Sequence, residues 1–135
     1  MKIDLEELYW GDWDELAKEE GQIEEIFNYL NRFKELELKE LSQVLKLYNN
    51  PSGAHTIEFA KLTADIYNSN KVRFIKALHL VQDEIPNLVY AFRLENVFEN
   101  EDEEFDEIVS LNKLSQEEVE TANFFFKMYK RICAS

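Results

Sequence analysis

Apolar side chains return every third or fourth position along most of the chain, the spacing that aligns them on one face of an α-helix. In the first quarter Trp13, Leu16, Ala17, Ile23, Ile26, Phe27, Leu30 and Phe33 keep this step. Ile3, Leu5, Leu8 and Tyr9 form one or two acidic turns before them, Gly11 interrupts, and Asp12 stands where an N-cap is needed. Gly21 falls within the run and is expected to weaken or kink the helix without ending it, at a cost of about 1 kcal/mol relative to Ala. A second helix is predicted from about Glu37 to Tyr48 on Leu38, Leu41, Val44, Leu45 and Tyr48. The stretch "NNPSG" stops it, since Pro51 steers Asn50 away from helical dihedrals and Gly53 tolerates a turn.

Three helices of similar length are predicted over 55–67, 70–82 and 86–98, divided by "NS" and by "DEI" before Pro86, a residue suited to a first helical turn. Links this short imply antiparallel neighbours. Phe59 and Lys61 recur fifteen residues on as Phe74 and Lys76, the kind of echo left by stacked helix pairs in a solenoid, although a compact bundle needs no repeat to explain it. Asn100 then caps a helix whose third residue is Glu103, with Phe105, Ile108 and Val109 as the inward stripe. The last helix opens on a capping box, Ser115 with Glu118.

Inside that last helix Phe124, Phe125 and Phe126 fan through about 200°, too wide for one apolar stripe. Burial of the helix on several sides is the preferred account. Otherwise one ring points outward, and Phe124 or Phe126, with Met128, forms the nucleus of a dimer or partner surface rimmed by Lys127, Lys130 and Arg131.

Composition agrees with helices. Only three Gly and two Pro are present, too few for the reversals of a β-sandwich or barrel, while ten Phe, six Tyr and two Trp supply a core. The expectation is an all-α fold: a single helical domain over residues 1–135, a compact bundle of six or seven antiparallel helices, with solenoid-like stacked pairs as the variant.

Charge narrows the partners. Residues 1–20 carry eight acids against two bases and residues 95–120 carry eleven against one, whereas 121–135 hold three bases and no acid and the chain totals −13. Such a surface repels phosphate backbones and anionic lipid, so nucleic-acid and membrane binding are not expected, and a protein with a basic surface is the expected partner. There is no apolar run of the roughly eighteen residues that a bilayer requires. The opening "MKIDLEELYW" lacks the pattern of a secretory signal, and a cytoplasmic location is the expectation. Cys133 is the single cysteine and reads as a packing residue.

The densest acidic stretch, "ENEDEEFDEI" from residue 99, is not an EF-hand, because counting from Asn100 the sixth place is Phe105 where Gly belongs and the twelfth is Leu111 where Glu belongs. It reads as a solvated helix start, its acids favoured by the free N–H groups of the first turn. A weak divalent-cation site and phosphate mimicry are the lesser readings.

No P-loop, dinucleotide fingerprint, G-x-S-x-G elbow or H-E-x-x-H occurs, and neither His55 nor His79 has a Glu three residues before it as a di-iron bundle requires. His79 and Asp83 lie four apart and could chelate a metal or form an oriented base, but a histidine near a helix C-terminus bonded to its carboxylate neighbour is the simpler reading. His55 reads as a first-turn surface residue. Tyr9, Trp10 and Trp13 in "LYWGDW" either pin the N-terminal arm to the core, which is preferred, or stack on a sugar, a planar ligand or a partner's proline.

The expected function is a non-catalytic protein-binding domain of acidic adaptor or inhibitor type, without metal or cofactor. Tyr9, Trp10, Trp13, Phe124, Phe126 and Met128 are its candidate contact residues, and a homodimer through the same surface is an open alternative. The competing expectation is a small-ligand receptor or enzyme whose pocket gathers residues distant in sequence.

Overall fold

A computed structural model describes Leu5, Lys18, residues 21–47 and residues 54–134 of the chain, with side chains in the last stretch described over 57–131. Tyr9, Trp10, Trp13, Tyr48 and the side chains of His55 and Cys133 lie outside the described residues. Seven α-helices and two short 3-10 turns make up the described part: α1 Gln22–Leu30, α2 Leu38–Lys46, α3 Ala54–Ser69, α4 Lys71–Leu80, α5 Ile85–Glu95, α6 Glu101–Ser110 and α7 Gln116–Ala134. The fold is a compact all-α bundle, and no described helix is long and apolar enough to cross a membrane.

Local chemistry sets most of the boundaries. Asn70 alone separates α3 from α4, and its side chain accepts the Arg73 N–H at 3.0 Å. Asn100 does the same for Glu103 at 3.1 Å. At Ser115 the capping box closes in both directions: the Ser115 N–H donates to Glu118 Oε1 at 2.9 Å, and the Glu118 N–H donates to Ser115 Oγ at 3.2 Å. The α5 helix ends at Glu95, three residues before the expected stop, because Asn96 turns left-handed at φ 49° and the Val97 N–H reaches back to the Phe92 carbonyl.

Gly21 departs from expectation. With φ +78° it is the residue before α1, so it bounds this helix instead of kinking it from within. No described atom approaches the place of a Cβ there; the dihedral is what favours glycine.

Packing skips a neighbour: α2 lies on α4, α3 on α5 and α5 on α7. Stacked pairs would continue that order indefinitely, each unit touching only the next. Here α7 lies against α4 and α6 as well as α5, which closes the stack into a bundle. At its centre Tyr67, Phe74, Phe92, Phe98 and Phe125 form one ring cluster, with centroids 5.2 to 6.3 Å apart and mostly edge-to-face. Phe59 and Phe74, the echoed pair, are both fully buried. Leu5 also belongs to this core.

Besides this packing, a cation bonds the turn between the N-terminal helices to the rest. Arg73 on α4 donates Nη1 to the Phe33 carbonyl at 3.3 Å and Nη2 to the Leu36 carbonyl, which satisfies the 3-10 turn between α1 and α2 from outside.

Candidate functional site

Three neighbouring phenylalanines on α7 meet three different fates. Phe125 is fully buried and Phe126 is 4 % exposed, while Phe124 stands 53 % exposed. Both readings of the triplet therefore hold in part: α7 is packed on several helices, and one ring points outward. Met128 is half-buried and rests against the core.

Around Phe124 lies an open groove of about 380 Å³ lined by His79, Gln82, Ile85, Glu117, Glu120 and Thr121. It forms where α4 ends, at Val81, whose φ −134° and ψ 50° break the helix before the 3-10 turn Gln82–Glu84. The break also overturns the expected His79–Asp83 pair, since the two residues no longer share a helix. Asp83 sits exposed in the 3-10 turn. His79 instead places Nδ1 2.7 Å from Thr121 Oγ1 and 3.2 Å from Gln82 Nε2. With the proton on Nδ1, His79 donates to Thr121, Thr121 donates to the Glu117 carbonyl at 3.2 Å, and Gln82 donates to the His79 carbonyl at 3.2 Å. Thr121 is buried and bonded on both sides, which makes it a support for the imidazole and a poor nucleophile.

The wall of α7 is held by a second set of bonds. Lys76 on α4 donates to Glu118 Oε1 at 2.9 Å, the same oxygen that receives the Ser115 amide. Burial by itself pushes the Glu118 carboxyl up; the Ser115 amide, Lys76 and the Ser115 hydroxyl outweigh it and hold the group below the usual carboxylate value. Glu118 thus faces inward as a structural acid, and Glu117 and Glu120 are exposed.

Toward its other end α7 lines a second groove, of about 410 Å³, between itself and α6. Phe105 and Phe126 lie beneath it, and Asp102, Asn123, Lys127, Lys130 and Arg131 surround it. Lys130 reaches Asp102 at 3.0 Å, with both side chains well exposed. Acids gather in the first turns of α7 and bases in its last ones, the distribution that the helix dipole favours.

The acidic start of α6 is only partly solvated. Glu104 turns inward, accepting from Lys71 Nζ at 2.9 Å and from the hydroxyl of buried Tyr67 at 3.2 Å. Val109, expected to face inward, is 37 % exposed; Ile108 is fully buried. Among the described residues no group of three or more His, Cys, Asp or Glu side chains is arranged to hold a metal ion. The His79–Thr121 contact, the Glu104–Tyr67 bond and the division of Phe124 from Phe126 carry no signal in the sequence, because each is made between helices 37 to 42 residues apart or by a rotation about α7.

Comparison of the chain with protein-family models, with curated proteins and with solved structures finds no match.

Proposed function

We propose that the chain is a non-catalytic protein-binding domain that takes a basic segment of another protein into the groove around Phe124. The observation that carries this reading is a half-exposed aromatic ring flanked by two exposed carboxylates, Glu117 and Glu120, on a chain of net charge −13. An arginine of a partner stacks on a phenylalanine face while its guanidinium bonds a carboxylate, and the pairing needs both groups within a few ångströms of each other. Gln82 and His79 supply further polar contacts at the wall, and the overall charge steers a basic partner toward this face.

The test is recovery of partners from the native cell with the wild-type domain and with an E117K/E120K/F124S variant, at low and at raised salt. The wild type is expected to retain a basic protein whose capture falls as salt rises, and the variant to lose it while melting at the same temperature. The same proteins recovered by both, or none recovered specifically at any salt, would overturn the proposal.

A further inference from the structure

The groove between α6 and α7 has a different chemistry from the one around Phe124, and nothing in the proposed protein-binding role uses it. Phe105, half-buried, and Phe126, nearly closed off, lie beneath it with ring centroids 6.0 Å apart. Above them stand Lys127, Lys130 and Arg131 on one side of α7. Bases near a helix C-terminus are favoured by the dipole, so their presence alone marks no site. An apolar floor directly beneath them does, because it pairs a surface that gains by leaving water with cations that seek an anion.

We propose that this groove binds a small organic acid, its apolar body lying over Phe105 and Phe126 and its anionic head group held by Lys127 and Arg131. These two cations are four residues apart on a helix, about 5–6 Å between Cβ atoms, close enough to share one carboxylate or sulfonate. Neither makes an ion pair among the described residues. Lys130 is already paired with Asp102, and both line the groove. The volume, about 410 Å³, lies in the range of small-molecule pockets.

The strong negative charge of the chain does not defeat this arrangement. Residues 121–135 carry three bases and no acid, and at physiological salt the field of acids beyond about 8 Å is largely screened, so the nearest cations set the local potential. Among the described residues Asp102 is the one carboxylate that lines the groove, and Lys130 pairs with it.

The experiment is a titration of the isotopically labelled 135-residue chain with 2-naphthylacetate, followed by amide NMR, beside 2-naphthylethanol and 2-naphthylethylamine as neutral and cationic probes of the same shape. Saturable shifts are expected from the acid, confined to residues 101–106 and 122–131, with about tenfold weaker binding of the alcohol and none of the amine. The exposed-residue variant K127E/R131E is expected to melt like the wild type and to bind the acid at least about tenfold more weakly. Equal binding of acid and alcohol, shifts centred elsewhere, undiminished binding by K127E/R131E, or no saturation by the acid at millimolar concentration would each overturn the proposal. The Phe124 groove shares none of the lining residues, so loss of one site leaves the other measurable.

Discussion

The hydroxyl of Tyr67, on α3, donates to Glu104, on α6, at 3.2 Å, although 37 residues separate them and the tyrosine ring is fully buried. Lys71 completes the unit, 2.9 Å from the same carboxylate and 5.6 Å from the centre of the tyrosine ring. The longest acidic run in the chain is therefore anchored by one of its own members.

Removing the hydroxyl with Tyr67→Phe is expected to cost about 1.5–3 kcal/mol, the range for hydrogen bonds to charged groups. Burial first, then the charge of Glu104 and the bond to it, push the Tyr67 pKa upward from its ordinary value of 10.0. The native state thus keeps a proton that the unfolded chain releases above about pH 10. Stability is full below that pH and falls as pH rises beyond it. Denaturant melts between neutral pH and pH 11 should show this alkaline loss in the wild type and a smaller one in Tyr67→Phe; equal slopes would remove Tyr67 as its source.

Ser115→Ala should destabilise by about 1 kcal/mol, the usual effect of losing an N-cap. Glu118 gives the acid side of the pH profile. Its pKa is lowered in the folded state, so its contribution is present above the unfolded carboxylate value, near 4.3, and disappears as pH falls through the folded one. Melts in acid should lose less stability in Ser115→Ala than in the wild type.

Adjacent rings on α7 should respond in opposite ways to truncation. Phe125→Ala opens a cavity in the central ring cluster and is expected to cost about 3–5 kcal/mol. Phe124→Ala removes an exposed ring and should change stability by no more than about 0.5 kcal/mol. A large loss from Phe124→Ala in urea melts would mean that its ring is covered.

Arg73→Ala leaves the Phe33 and Leu36 carbonyls without their long-range donor. A loss of about 1–3 kcal/mol is expected. Amide hydrogen exchange should rise first at Glu35 and Leu36, whose N–H groups close this turn. Uniform acceleration across α1 and α2 instead would assign Arg73 a general role in docking them.

How far the residues alone reach is clearest at the helix ends. Ser115 and Asn100 act through neighbours three places away and Pro86 through its own fixed φ, so their effect is written in adjacent letters and the observed helices begin within a residue of them. Gly21 and Asn96 leave no such mark, because a left-handed dihedral can end a helix and leave its pattern of apolar residues undisturbed on either side. His79 shows the limit for the site: a four-residue spacing implies contact with Asp83 only while the helix continues, and Val81 ends it.

Periodicity and capping, both short-range, determined that this chain is helical, roughly where each helix lies and which residues are apolar enough to enter a core. Which of three successive phenylalanines faces water, which glutamate turns inward to Tyr67, and which cations stand over Phe105 and Phe126 were decided only when α7 settled against α4, α5 and α6. A helix offers all of its sides equally until neighbours cover some of them, and the choice of neighbours depends on contacts that no local window of sequence contains.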